Sequence, residues 1–229
     1  MKTIIFDFDK TLTTGRSIWK RLWNKKGYEI HKYSKFVQVV NAFREGKLSR
    51  EEWNTISLKA LRQKGLSQKD VASIANNLPL IEGIEKTLET LKQEGYKIAI
   101  VCGGVEEIVK LALGENGKYV DIIHANKFFY DRHGILKSIN SETYHYEGKQ
   151  KFVESFMEET GTTADEIIFI GHGDEEQWAN TLGCKAIAFN VFDTIISGEK
   201  TKWDKVIYSQ DLTDILPAIQ EVENEKENY

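Results

Sequence analysis

Ile4-Ile5-Phe6-Asp7-Phe8-Asp9-Lys10-Thr11-Leu12-Thr13 is the stretch whose reading decides the fold. It begins as a short apolar run of Ile and Phe, which predicts a buried strand. It ends in two carboxylates spaced i, i+2, followed by Thr, Leu and a polar turn containing Gly15. At the carboxyl end of a parallel strand, such a pair stands where open α/β sheets take their ligands. One carboxylate suits nucleophilic attack. The other suits proton transfer or, through its backbone carbonyl, a share in holding a metal. The residues alone do not assign the two roles.

Outward from this stretch the chain changes character twice. Ser17 to Leu80 is rich in Lys, Glu, Trp and Leu at helical spacing: Ile18, Trp19, Leu22 and Trp23 form one stripe, and Phe36, Val37, Val40 and Phe43 another. Ser49-Arg50-Glu51-Glu52 predicts a capping box that opens a third helix. Ser67 to Asn77 predicts a fourth, stopped by Leu78-Pro79. Strands and helices then alternate: a helix over 82–94, a strand over 96–101 and a helix over 105–113. A short strand over 119–124 precedes a hairpin over 128–139 that turns at Asp131-Arg132-His133-Gly134. A helix over 149–160 and a strand over 166–170 follow, then late strands over 185–189 and 205–208 and a closing helix over 211–222. The pattern predicts an α/β protein, a doubly wound parallel sheet carrying a small helical insert. The expected core is 1–15 with 81–229, and the insert is 16–80. Strand carboxyl ends would then converge, bringing Asp7, Cys102 and Gly171 to one place.

Composition narrows the function. The 229 residues are 41% hydrophobic and 29% charged, enough for one or two domains with a sizeable core. A net charge of −4 gives no bulk attraction for nucleic acid or membrane. No apolar run approaches the roughly 20 residues of a membrane span. Two cysteines far apart imply no disulfide framework. The chain enters a strand at once, with no charged leader and apolar signal core, so a cytoplasmic location is expected.

Asp7-Phe8-Asp9-Lys10-Thr11 matches a DxDxT signature and resembles the first motif of the haloacid dehalogenase-like superfamily, in its phosphoserine-phosphatase-like branch. Three later segments fall in the family's order. The resemblance implies that Asp7 attacks phosphorus to form an aspartyl-phosphate and that Asp9 is the acid/base. Val101-Cys102-Gly103-Gly104 lies where the family carries a Ser or Thr whose hydroxyl, with a following amide, binds phosphate. Cys102 offers only a thiol there, a weaker donor, and the Gly103 amide remains. The thiol equally suits small-residue packing, or a nucleophile of its own. Lys149, in the first turn of its helix, sits against the helix dipole. The family places there a lysine that pairs with nucleophile and phosphate, and Lys151 is the neighbouring alternative. Gly171-His172-Gly173-Asp174-Glu175-Glu176 stands in place of Gly-Asp-Gly-x-x-Asp, whose carboxylates serve magnesium. His172 replaces a metal ligand and Glu176 keeps a carboxylate on a longer arm. The implied metal set is Asp7, Asp9, His172, Asp174 and Glu176. Mg2+ is the expected ion, with another divalent metal admitted by the imidazole of His172.

The family's helical insert after the first motif is a cap that reads the leaving group, and 16–80 resembles it. His124-Ala125-Asn126 likewise resembles a segment of phosphoserine phosphatases. Those enzymes place a Glu after the first motif, where this chain has Arg16, and an Arg in a cap helix, near Thr55 here. Arg16 reverses the charge needed for an amine, and Thr55 lacks the fork that suits a carboxylate. The expectation is a divalent-metal-dependent phosphomonoesterase acting on a small phosphorylated metabolite, with Arg16 as a substrate contact. The alternatives are a phosphoserine phosphatase and a weakened relative that binds a phosphorylated ligand or partner. Trp19 and Trp23 read as cap core or as a wall of the site.

Overall fold

The computed structural model describes residues 2–28, 34–140, 146–173, 178–190 and 203–224. β1 (Thr3–Phe6) is buried at all four positions. Its side chains alternate between two cores: Ile4 and Phe6 join one cluster, Ile5 the other. β2 (Lys97–Val105) repeats the alternation, with Ile98 and Ile100 in the first cluster and Ala99 and Val101 in the second. A strand covered on both faces has no polar side to show, which is why these segments read as unbroken apolar runs.

β1 pairs in parallel with β2 on one side and with β5 (Ile167–Gly171) on the other, in a sheet ordered β4-β3-β2-β1-β5-β6-β7. β6 (Lys185–Phe189) and β7 (Lys205–Ile207) extend it in parallel, and β4 (Leu136–Asn140) closes the opposite edge antiparallel to β3 (Ile122–Tyr130). Phe6 is level with Ile100 and with Ile170. Asp7, Val101 and Gly171 therefore emerge together at the carboxyl edge. The sequence patterns split one element: the strand at 119–124 and the first arm of the hairpin are a single nine-residue strand, β3. The Asp131–Gly134 turn is as expected, with Gly134 at φ 73° and Asp131 accepting from the amides of His133 and Ile135.

Four helices follow β1 before the sheet resumes: α1 (Ile18–Lys25), α2 (Lys35–Arg44), α3 (Arg50–Gln63) and α4 (Gln68–Asn76). Ser49 and Ser67 both close capping boxes. An aromatic chain runs through them, Trp19 to Trp23 to Trp53 to Phe43, with ring centroids 5.2–6.0 Å apart. The outgoing and returning segments lie side by side, since Thr13 bridges Leu80 and Ile81 donates to the Leu12 carbonyl at 3.0 Å. The far end rests on the hairpin, where Gln68 donates to Gly134 and Leu136 to Leu66.

The remaining helices cover the sheet: α5 (Ile84–Gln93), α6 (Glu106–Leu113) and α9 (Ile215–Asn224) with the first cluster, α7 (Tyr146–Thr160) and α8 (Trp178–Thr181) with the second. Among the described residues no helix is long and apolar enough to cross a membrane.

Gly83, the residue before α5, has φ 73°, and a Cβ there would lie 2.2 Å from Asp211 Oδ1 and 3.2 Å from the Thr213 amide nitrogen. Asp211 caps the turn that leads into α9. Gly83→Ala is therefore expected to destabilise the protein by about 2–3 kcal/mol through combined strain and overlap, read by denaturant unfolding. A loss below about 0.5 kcal/mol would contradict this packing.

Candidate active site

The backbone at the end of β1 sets the site. Asp7 continues the ladder, its amide donating to the Ile170 carbonyl at 2.9 Å. The chain then coils tightly: Thr11 and Leu12 donate to the Phe8 carbonyl, and the Lys10 amide donates to Thr13 Oγ1 at 3.2 Å. Lys10 takes φ 66°, a conformation a side chain rarely adopts without support. The support comes from Asn190 Nδ2, which donates to the Lys10 carbonyl at 2.9 Å.

Lys149 Nζ donates to Asp7 Oδ1 at 2.8 Å, and both side chains are about nine-tenths buried. Lys151 is exposed, so the structure separates the two candidate lysines. A lysine in the first turn of α7 meets the positive end of the helix dipole, and Asp7 offsets that penalty.

Asp9 is half-buried, and both carboxylate oxygens accept from the Ile18 amide, at 3.0 and 3.2 Å. Burial first, then the charge of Asp7, raise its pKa to about 7. The Ile18 amide, Lys149 and Arg21 pull the other way without prevailing. A carboxyl that holds a proton near neutrality is suited to acid/base work.

Cys102 lies at 1% exposure beside this pair. Burial, with the charges of Asp7 and Asp9, pushes the thiol well above its usual range. A thiol held protonated is a poor nucleophile, which favours a packing or weak donor role. The next residue, Gly103, presents its carbonyl to two donors, Trp19 Nε1 at 2.7 Å and Asn126 Nδ2 at 2.8 Å.

His172 is half-buried just past β5, its Nε2 3.5 Å from Lys10 Nζ. Burial and that ammonium lower its pKa, so it stands neutral. Asp174 and Glu176 lie outside the described residues. Two carboxylates close together, the charge of Asp7 adding to burial in raising Asp9, fit a divalent cation, and the Asp7 carboxylate supplies a hard oxygen donor. His172, facing an ammonium, contributes less to that fit than an aspartate would. Arg16 is exposed, and with the Asn24 amide oriented to satisfy its neighbours Arg16 Nη1 donates to Asn24 Oδ1 at 2.6 Å, which draws the guanidinium along α1. Arg21 instead holds the loop before α1, donating to the Arg16 and Thr14 carbonyls.

Four contacts are absent from the sequence reading: the Ile18 amide on Asp9, Trp19 and Asn126 on Gly103, and Lys10 beside His172. Only the last carries a local signal, since Lys10 sits between the carboxylate pair and Thr11. The others join positions far apart in the chain or use backbone groups that no residue type reveals.

The family model for haloacid dehalogenase-like hydrolases matches residues 1–176. The chain is 26% identical over 220 residues to a phosphoserine phosphatase of Methanocaldococcus jannaschii, spanning 96% of this chain and 98% of that one. It is 24% identical to a phosphoserine phosphatase of Campylobacter jejuni subsp. doylei over 96% and 100% of the two chains. Among solved structures, it superposes on a phospho-aspartyl intermediate analogue of phosphoserine phosphatase with a TM-score of 0.69 at 24% identity, covering 95% and 98% of the chains. On a HAD family hydrolase of Salmonella enterica serovar Typhi the TM-score is 0.76 at 17% identity, covering 93% and 69%.

Because folding raises the Asp9 pKa from 3.8 to about 7, the folded state binds the proton more tightly than the unfolded one. Asp9 therefore costs no stability below pH 4, and the cost grows as pH rises to 7 and is complete above it. Asp9→Asn, measured in chelator, is expected to leave stability nearly unchanged at pH 4 and to raise it at pH 8 by up to about 4 kcal/mol. Equal effects at both pH values would contradict this electrostatic account.

Proposed function

The chain belongs to the haloacid dehalogenase-like hydrolase family, and on that premise we propose that it hydrolyses small phosphomonoesters through an aspartyl-phosphate on Asp7. The observation that carries this reading is the buried contact of Lys149 Nζ with Asp7 Oδ1, beside a second carboxyl whose pKa is near neutrality. Asp7 attacks phosphorus and the bond to the leaving oxygen breaks, while Asp9 gives its proton to that oxygen. Asp9, now a carboxylate, takes a proton from water as the water attacks the aspartyl-phosphate. The P–O bond to Asp7 breaks, and phosphate leaves. Lys149 keeps the nucleophile oriented and offsets its repulsion from the phosphate oxygens. The Gly103 amide meets one of those oxygens.

A Mg2+ ion would be held by the Asp7 carboxylate and the Asp9 carbonyl, with Asp174 or Glu176 and with His172 at the margin beside Lys10. When bound it supplies further neutralisation of phosphate charge. Helices α1–α4, residues 16–80, act as a cap over a core of 1–15 and 81–229, a reading supported by the Thr13–Leu80 bridge where the chain leaves and returns. The substrate is a small phosphorylated metabolite. Two buried, unpaired cysteines fit a reducing cytoplasm. The likeness to phosphoserine phosphatases supports the chemistry. Arg16 and Arg21 at the start of α1 oppose an amine-bearing leaving group.

The test is release of phosphate from 4-nitrophenyl phosphate with Mg2+ or with chelator. Turnover is expected with the metal only, and Asp7→Asn is expected to lose at least about a thousandfold in kcat. Full turnover in Asp7→Asn would exclude an aspartyl-phosphate on this residue. In a panel of phosphomonoesters, phosphoserine is expected to show no advantage in kcat/KM. A preference above about a hundredfold would reverse the reading of Arg16.

A further inference from the structure

Gly103 and Gly104 lie at the irregular end of β2, where the register shifts between Val101 and Val105, and in the reading above, on which this inference rests, this segment presents an amide to phosphate. Two consecutive glycines have wide conformational freedom, so something must fix their peptide. The Gly103 carbonyl is held from outside by Trp19 Nε1 at 2.7 Å and Asn126 Nδ2 at 2.8 Å. The Gly103–Gly104 peptide is thus held at its carbonyl by two donors from different elements.

The two outer donors differ in origin. Asn126 belongs to β3, inside the sheet, and is fully buried. Trp19 belongs to α1, whose preceding residue Ile18 gives its amide to Asp9. The seat is close: a Cβ on Gly104 would lie 2.6 Å from Ile18 Cδ1. Phe128 flanks the Trp19 ring edge-on, with centroids 6.1 Å apart. The indole is therefore held by packing while its N–H reaches a backbone oxygen 84 residues away in the chain.

We infer that Trp19 is a positioning residue, whose indole N–H sets the phosphate-facing segment of β2 at Gly103 and makes the grip on phosphate depend on α1 being seated. Trp19 touches no reacting atom. It acts through the glycine peptide, and so it should govern phosphate affinity and not the chemical step.

Trp19→Phe keeps most of the ring and removes the N–H. Orthovanadate binding, measured by calorimetry on the whole chain with Mg2+, is expected to weaken about five- to tenfold, the range of one neutral hydrogen bond. KM for 4-nitrophenyl phosphate is expected to rise in parallel, with kcat within about twofold of wild type. Unchanged affinity and KM, or a fall in kcat alone, would overturn the inference. If Trp19→Phe does not fold, the wild-type indole 15N–1H resonance of Trp19 supplies the readout. It is expected to resist solvent exchange and to gain further protection with orthovanadate, and rapid exchange with and without the ligand would overturn the inference. Wild type that binds orthovanadate without turning over any aryl phosphate would remove the hydrolase reading and leave this one to the binding data. Absence of both would remove both.

Discussion

The buried contact between Lys149 and Asp7 is the constraint on which the rest of the site depends. Each partner would be costly alone, since breaking a buried pair leaves a charge without compensation, at about 3–5 kcal/mol. The end of β1 and the first turn of α7 must therefore arrive together, although they are 142 residues apart. The sheet makes this possible. β1 lies between β2 and β5 with Phe6 level with Ile100 and Ile170, so the point where Asp7 leaves the sheet is fixed from both sides. A slip of one residue would turn Ile4 and Phe6 into the cluster now filled by Ile5 and would move Asp7 off the edge. Two apolar cores hold one charged contact in register.

Asp9 shows the consequence of that economy of charge. Lys149 is committed to Asp7 at 2.8 Å, and the Ile18 amide and Arg21 only moderate the second carboxyl. The same amide opens α1, so the residue suited to carry a proton is also a point at which the helical insert is fastened. Trp19 fastens the next residue of α1 to Gly103. Two successive residues of one helix thus touch Asp9 and the Gly103 carbonyl, and movement of α1 cannot leave either unchanged.

What could be read from the sequence was what has a local cause. The buried strands, the capping box at Ser49 and the turn at Asp131–Gly134 each follow from a few adjacent residues, and each is in the structure. The carboxylate pair was visible because both members sit on one strand end. The length of β3 was not legible: His124 to Lys127 shows no clean alternation, because this strand passes from a covered parallel edge to a hairpin packed on α3 and α4. Lys151 stood beside the favoured Lys149 as an alternative in the sequence, and the orientation of α7 separates the two. The hold of Trp19 on a carbonyl was invisible because any residue type carries that carbonyl.

The altered positions fall into a pattern of charge. His172 removes a carboxylate and Lys10 brings an ammonium within 3.5 Å of it, while Cys102 stays protonated and neutral. Of these, the replacement of a carboxylate by His172 makes this side of the site less negative, and Lys10 adds to that, while Cys102 leaves the charge unchanged. Asp7 and Asp9 remain nonetheless, and their mutual repulsion is part of what lifts Asp9 to about 7. A pocket kept only to hold a phosphate would gain by losing the second carboxylate, which repels the ligand and destabilises the fold at neutral pH. Retaining it is consistent with use of its proton. That physical cost favours a working hydrolase over a site that only binds.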